Sequence, residues 1–519
     1  MKRTRTMTRR DLLKQTSAAL VASGLAWSVP RRARAAAAKQ DLVFVEGTDI
    51  TVLDPMMVTD TPSNGPNLLV YDGLVTFDKD MKIVPVLATK WVISPDQKTW
   101  TFTLRPNVKF SNGAPFNAKS IQFTYERMMD DATASPARSQ YVAVERVEAA
   151  DDLTVRFVTK YPFPDLLRNL AQPNFLAYDP AHTKRFSVRD YARNPIGTGP
   201  FVLKDWVSGD RVVFVPNPHY WGSAPRVNSL IYKPVPEGAA RAAMLRTGEA
   251  DIAVKIPPEE IANLERDPGV TVLKLDSMYQ ISYELNNMME NPPLNKKLVR
   301  QALNYAVDKE AIVKSVLMGL GAPMVSPFGP GINYRATFDP YRYDPARAKK
   351  LLADAGYPNG FKLTLNTPNG RYLKDKEVTE AVQGYLRAVG IQAEVKVWEW
   401  SPYLVMIQKD EKREAFMVGR ATPSADFTAT RLFSKGAIGL YNVTGFWREK
   451  VEELLVKARS SFDEKERTDG YRQIQAIVWE EAPWVFLHNQ KAVVGLRKGV
   501  EGYAMLPTEV NLLANAHKA

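Results

Sequence analysis

No cysteine occurs in the 519 residues. Disulfides, thiol nucleophiles, zinc-thiolate sites and a lipid anchor on an N-terminal cysteine are therefore all excluded. Histidine is nearly as scarce: His182, His219, His488 and His517 stand far apart and form no HExxH-like pair, which argues against a histidine metal cluster. A GxSxG elbow, a GxxxxGK[ST] phosphate loop and a GxGxxG dinucleotide loop are missing too, and Gly197-Thr198-Gly199 reads only as a turn. The adjacent acids Glu259-Glu260 and Asp151-Asp152 fall in polar, helix-start or turn contexts, where solvated surface is the ordinary reading and acid/base work the rare one. With no nucleophile-base set and no ligand cluster, the chain is expected to be no enzyme and to need no cofactor or resident metal.

Basic residues outnumber acidic ones, and the formal net charge is +12. That excess has an address. Lys2, Arg3, Arg5, Arg9, Arg10, Lys14, Arg31, Arg32 and Arg34 stand against Asp11 alone in residues 1–35, which therefore hold +8 of the total. The remainder is scattered among acids and calls for no nucleic-acid partner. The same leader carries a charged start, an apolar stretch from Thr16 to Val29, and Ala33-Arg34-Ala35 as a small-x-small cleavage site near Ala35. The stretch is too short and too rich in alanine for a membrane span, which takes about 20 apolar residues. Thr8-Arg9-Arg10-Asp11-Leu12-Leu13-Lys14 fits a twin-arginine export motif, an ordinary Sec signal with a chance arginine pair being the alternative. Residues 1–35 are thus expected to be a cleaved signal peptide, and the mature chain to be free in the periplasm.

At this length two or three packed units are expected. No sequence period of 20 to 50 residues repeats. Trp100, Phe102 and Leu104 alternate with threonines, and Ile391, Ala393, Val395 and Val397 alternate with polar residues, the two-residue period of half-buried strands. Leu298, Val299, Ala302, Leu303, Ala306 and Val307 form a helical stripe, as do Val378, Ala381, Val382, Tyr385, Leu386 and Val389. Asp344-Pro345 caps and opens a further helix whose buried side is Leu351, Leu352 and Ala355, and Gly356 ends it. The fold class is therefore mixed α/β. The turn-rich Asn194 to Phe201 stretch, and the region of Ser277 to Asn286 ahead of Asn291-Pro292-Pro293, are the candidate crossings between units.

Several segments, in order, resemble the large periplasmic solute-binding proteins of the peptide, dipeptide, nickel and glutathione type, extracellular family 5. They are Leu69-Val70-Tyr71-Asp72-Gly73-Leu74-Val75 through Trp91, Thr99-Trp100-Thr101-Phe102-Thr103-Leu104-Arg105, Ile196-Gly197-Thr198-Gly199-Pro200-Phe201, Asn217-Pro218-His219-Tyr220-Trp221, Val299 to Asp308, and Tyr343-Asp344-Pro345 to Pro358. The resemblance implies two α/β lobes joined by a hinge of two crossing strands, with an inserted α/β domain. Mapped here, lobe one is 36–77, 197–282 and 484–519, the insert is 78–196, and lobe two is 283–483. It also implies capture of a short peptide or peptide-like ligand for an ABC permease and ATPase complex at the inner membrane, by a monomer that closes over its guest.

Dipeptide binders of this family grip the ligand carboxylate with an arginine, and Arg371 falls at that position. A planar guanidinium makes two parallel hydrogen bonds to a carboxylate, which lysine does not. At the matching ammonium site the chain departs from the family: Met417 to Phe427 has Arg420 where an aromatic is expected and Thr422 near where an acid is expected, while Asp426 matches a later, often structural acid. A free ammonium would then lack its counter-charge, and Arg420 beside Arg371 points to an anionic or multiply carboxylated ligand such as a glutathione-like peptide. Trp400, Tyr403, Tyr279 on the hinge, and Thr59 to Thr61 after Glu46-Gly47 complete the expected cleft. A nickel chelate, haem or an oligosaccharide would suit the same fold. A periplasmic hydrolase or a chaperone-like protein is the alternative of another class, and the missing nucleophile and the single cleft oppose it.

Overall fold

The computed structural model describes residues 40–288, 293–410 and 412–519. The expected signal peptide and its cleavage site lie outside them. Among the described residues no helix is long and apolar enough to cross a membrane.

Two large sheets organise the chain. The first has seven strands in the order Val270–Leu275, Ala492–Arg497, Ile252–Val254, Leu42–Glu46, Leu230–Pro234, Arg211–Pro216, Phe201–Val207. Its central strand, Leu42–Glu46, runs parallel to both neighbours. That explains its almost unbroken apolar run: a parallel strand inside a sheet is covered on both faces, so alternation gives no advantage. The second sheet has six strands in the order Gly321–Pro323, Trp484–Gln490, Gln280–Leu285, Ala415–Arg420, Lys362–Pro368, Gln392–Trp398. Gln280–Leu285 is buried at every position. Gln392–Trp398 is one edge, and there the alternation read from the sequence is only half used: Ile391 is buried while Val397 is exposed.

A smaller antiparallel sheet of four strands, Ala88–Ile93, Thr99–Leu104, Thr154–Thr159 and Val144–Asp151, lies within residues 78–196. Here the alternation holds, with Trp100, Phe102 and Leu104 inside. One apolar core joins Phe102, Phe157 and Phe175 of this region to Leu42, Phe44 and Tyr232 of the seven-stranded sheet. A second runs from Val45 and Ala253 to Tyr283, Leu365 and Met417, and so fastens the two large sheets together near their crossings. A third packs helices Ala425–Phe433, Glu449–Arg459 and Glu464–Glu481 against Trp484 and Phe486.

The chain passes between the large sheets twice, at residues 276–279 and at Lys491. The boundaries expected at 282 and 483 assign residues 280–282 and 484–490 to the first lobe, whereas both strands pair in the six-stranded sheet. Alternation shows that a segment is a strand and is silent on which sheet receives it. The Asn194 to Phe201 stretch has a packing reason for its glycines. A Cβ on Gly197 would lie 2.2 Å from Val70 O, and one on Gly199 2.6 Å from Val70 C. Thr198 between them donates to the buried Asp72 carboxylate at 3.0 Å, which also accepts from Trp221 at 2.9 Å.

The expected caps hold, and the expected buried stripes hold in part: Leu351, Ala381 and Tyr385 are only half-buried. Asp344 caps Pro345–Asp354 by accepting from Arg347 N at 2.9 Å, and Gly356 adopts φ +90 just past its end. Val299, Ala302, Leu303 and Ala306 are buried on Lys297–Ala306, while Leu298 is 38% exposed, because the apolar stripe is narrower than the run of apolar letters.

Candidate ligand-binding site

The segment after Leu42–Glu46 is where the two large sheets meet across a cleft. Four consecutive residues there each take a bond from the far side or from the crossing. Tyr441 donates through Oη to Val58 O at 2.7 Å, and Gln408 through Nε2 to Thr59 Oγ1 at 3.1 Å. Trp400 donates through Nε1 to Asp60 Oδ2 at 2.7 Å, and the hydroxyls of Thr61 and Tyr279 are 2.6 Å apart. Backbones also touch: a Cβ on Gly47 would fall 1.8 Å from Gly370 O, and Gly370 itself sits at φ +72 against Pro236. Only glycine permits that approach.

Beside this seam lies a polar cavity of about 90 Å³. Its walls are Val58 to Thr61 and Asn64, then Gln172 to Asn174 from the inserted region, then Gly419 to Thr422 at the end of the Ala415–Arg420 strand, with Phe427, Arg431 and Tyr441 beyond. Ser424 caps helix Ala425–Phe433 by accepting from Phe427 N at 3.1 Å, which turns the chain so that Phe427 and Arg431, one helical turn apart, face the same space. The Arg431 guanidinium lies 3.0 Å from the Tyr441 ring centroid and 4.6 Å from that of Phe427. Among the described residues no carboxylate pairs with it. Burial, with the charge of Arg420 beside it, pushes this guanidinium well below its usual range.

Thr59 and Thr61 line the cavity. Arg371 does not. It is 2% exposed and stands one layer behind, donating through Nη2 to Tyr279 Oη at 2.5 Å, with Tyr279 in turn on Thr61. The rings of Tyr372 and Trp400 close over it at 4.7 and 5.0 Å, and its Nε has no hydrogen-bond partner among the described residues. The loop is held by Asp375, whose carboxylate accepts from the backbone N–H of Gly370, Arg371 and Tyr372 at 3.2, 2.8 and 3.1 Å. Burial pushes that carboxyl up to about 6.

Three expected site residues are otherwise employed. Tyr403 is fully buried and donates through Oη toward Met417 O and Asn366 O, at 2.8 and 3.1 Å, so it braces the sheet and does not face the cleft. Glu46 forms a buried ion pair with Lys255 and accepts from Tyr232; its charge is spent within its own sheet. Arg420 lines the cavity, yet its Nε and Nη2 are committed to Glu284 at 2.8 and 3.0 Å, and the two charges cancel. Asp426 is structural: it meets Arg459 at 3.2 Å and accepts from Tyr471 at 3.2 Å. Trp400, 5% exposed, reaches the seam through its indole N–H.

Sequence reasoning missed Asp60, Arg431, Tyr441 and the Gln172 to Asn174 turn. Asp60 stood between two named threonines without being singled out. Nothing local marks Arg431, because a cation on a helix surface is ordinary until the elements opposite it are known. Among the described residues no group of three or more His, Asp or Glu could hold a metal ion.

An α/β scaffold of two sheets with a polar cavity between them is an arrangement that can enclose a small molecule. Residues 82–438 match the family model of bacterial extracellular solute-binding proteins, family 5 Middle, and the chain belongs to that family. It is 32% identical over 497 residues to the glutathione-binding protein GsiB of Escherichia coli O157:H7, covering 94% of this chain and 96% of the relative. Among solved structures it resembles the periplasmic binding protein DppA of Helicobacter pylori in complex with peptide STSA, with TM-score 0.86, 31% identity and coverage of 92% and 98%. It also resembles AgaA of A. tumefacien R10 in complex with agropinic acid, with TM-score 0.83, 25% identity and coverage of 92% and 99%.

Proposed function

We propose that this protein is the exported receptor of an ABC importer, and that it captures a short peptide or peptide-like anion in the cavity between two lobes. One lobe is built on the seven-stranded sheet and carries the inserted domain; the other is built on the six-stranded sheet. The twin-arginine leader delivers it folded to the periplasm, where it works as a monomer, performs no chemistry, and hands its guest to a permease and ATPase pair. The observation that carries the anionic ligand is Arg431, a cation that faces the cavity without an acid beside it. An unpaired charge drawn out of bulk water costs several kcal/mol, and a ligand carboxylate removes that cost. Arg371 supports the reading from behind, as a second buried guanidinium with a vacant N–H. The relatives named for glutathione, a tetrapeptide and agropinic acid bind carboxylated guests, which agrees with it.

Two measurements test this. The mature protein, purified without denaturant, should release a small carboxylated molecule that mass spectrometry identifies. Arg431→Gln should then weaken calorimetric binding of that molecule by about 1.5 to 3 kcal/mol, tenfold or more, as expected for one charge-assisted hydrogen bond. Unchanged affinity in the variant removes Arg431 from the site.

A further inference from the structure

The two crossings between the large sheets meet at a single carboxylate that lies away from the cavity. Glu509 Oε1 accepts from Ser277 Oγ, in the first crossing, and from Gln490 Nε2, the residue before Lys491 in the second, each at 2.8 Å. The crossings also bond to each other and to the turn that carries Glu509. Gln490 N donates to Tyr279 O at 3.1 Å, Tyr279 N to Ser277 Oγ at 2.9 Å, and Met278 N to Pro507 O at 2.8 Å. That turn is founded on the first apolar core through the buried Leu506 and Val510, and bonds from Leu506 N to Val510 O and from Glu509 N to Leu506 O close it. Glu509 itself is 7% exposed and takes φ +60. Glycine would adopt that backbone at less cost, so an acid there stands against the local preference. Lys255, which pairs with Glu46, is close enough to attract it.

We propose that Glu509 is a positioning residue for capture: it pins both crossings to the seven-stranded lobe and to each other, so that the lobes turn about one fixed axis. This rests on the reading above, of a receptor whose lobes close on a guest, and adds where the closing motion is set. A hinge absorbs its rotation in a few backbone angles at the ends of elements, and here those angles lie in residues 276–279 and at Lys491. Two crossings independent of each other would let the second lobe twist and slide as well as swing. With one oxygen holding both, only the swing that brings the cavity walls together is left. The ordering cost of capture is then met before the guest arrives.

Distances between spin labels in the ligand-free protein test this, and the absence of cysteine makes the labelling specific. Val207→Cys at the edge of the seven-stranded sheet and Val456→Cys on Glu449–Arg459 are both at exposed positions, one on each lobe. With Glu509 in place the pair should give a narrow distance distribution, and in Glu509→Ala one at least about twofold wider, since the unpinned lobes sample more arrangements. Glu509→Gln keeps an oxygen for both donors and should stay narrow. Should Glu509→Ala fail to fold, Ser277→Ala removes one of the two bonds and should broaden the distribution in its place; an unchanged width there overturns the proposal. A merely structural role would lower the urea midpoint of Glu509→Ala and leave the width as it was, and that result overturns the pin. So does a distribution in Glu509→Gln as broad as in Glu509→Ala. Because no ligand is added, these outcomes are read apart from the parent reading, which fails separately if the purified protein releases no carboxylated molecule.

Discussion

Single residues here are governed by what burial does to charge. His488 is 1% exposed, both ring nitrogens lack a hydrogen-bond partner among the described residues, and burial pushes the imidazole down to about 3. The unfolded chain binds that proton near pH 6.5 and the folded chain only near pH 3. Stability is therefore lost as pH falls between those values, at a slope approaching about 1.4 kcal/mol per unit from this group. Asp72 and Asp375 act in the opposite sense. Burial raises each carboxyl to about 6, so the folded form takes up protons first, and their contribution grows as pH falls from 6 toward the ordinary carboxylate range. His488→Leu should isolate the first effect: in urea denaturation the stability difference between variant and wild type should widen in the variant's favour from pH 7 to pH 4. A difference that stays constant with pH would mean that the buried ring has a partner.

Among elements, the seam depends on helix Ala425–Phe433 being held from two sides. Its cavity end carries Arg431. Its first turn carries Asp426, which sits in a buried network with Arg459 of Glu449–Arg459 and Tyr471 of Glu464–Glu481. Arg467 of the same long helix forms a buried ion pair with Asp165 from the inserted region, so that region is tied to the helical layer beside the six-stranded sheet. Taking away one member of a buried pair strands the other, at roughly 3 to 5 kcal/mol. Asp165→Ala should therefore lower the free energy of chemical unfolding by that amount, without contact with the cavity, and ligand affinity should fall because the closed arrangement is weakened. An unfolding midpoint equal to wild type would show that the pair contributes nothing. Elements themselves were largely legible: Asp344, Pro345 and Gly356 mark one helix at both ends, and the threonine alternation marks Thr99–Leu104. Edge and centre were not, since Val397 and Val395 obey the same pattern whether or not a further strand covers them.

For the whole molecule, closure is the property that matters. Ligand that binds only the native form adds stability by mass action, about 2.7 kcal/mol at a hundred times its dissociation constant. Because the cavity walls come from both large sheets and the inserted region, small-angle scattering should also report a smaller radius of gyration with ligand than without. Superimposable profiles at saturation would contradict capture by closing lobes.

The sequence by itself determined the class of protein. Patterns of two and 3.6 residues, caps and turns depend on neighbours a few positions away, and the ordered motifs from Leu69 to Pro358 carried the family. The resemblance also named Thr59, Thr61 and Arg420 as candidates, and these three line the cavity. What the tertiary structure alone decided was which charges remain available there. Arg420 meets Glu284 across 136 positions, and Glu46 meets Lys255 across 209. Arg431, by contrast, meets no carboxylate among the described residues. Whether a charge is cancelled or presented depends on residues far away in the chain, because Coulomb attraction and desolvation act through space, and only the folded chain sets those distances.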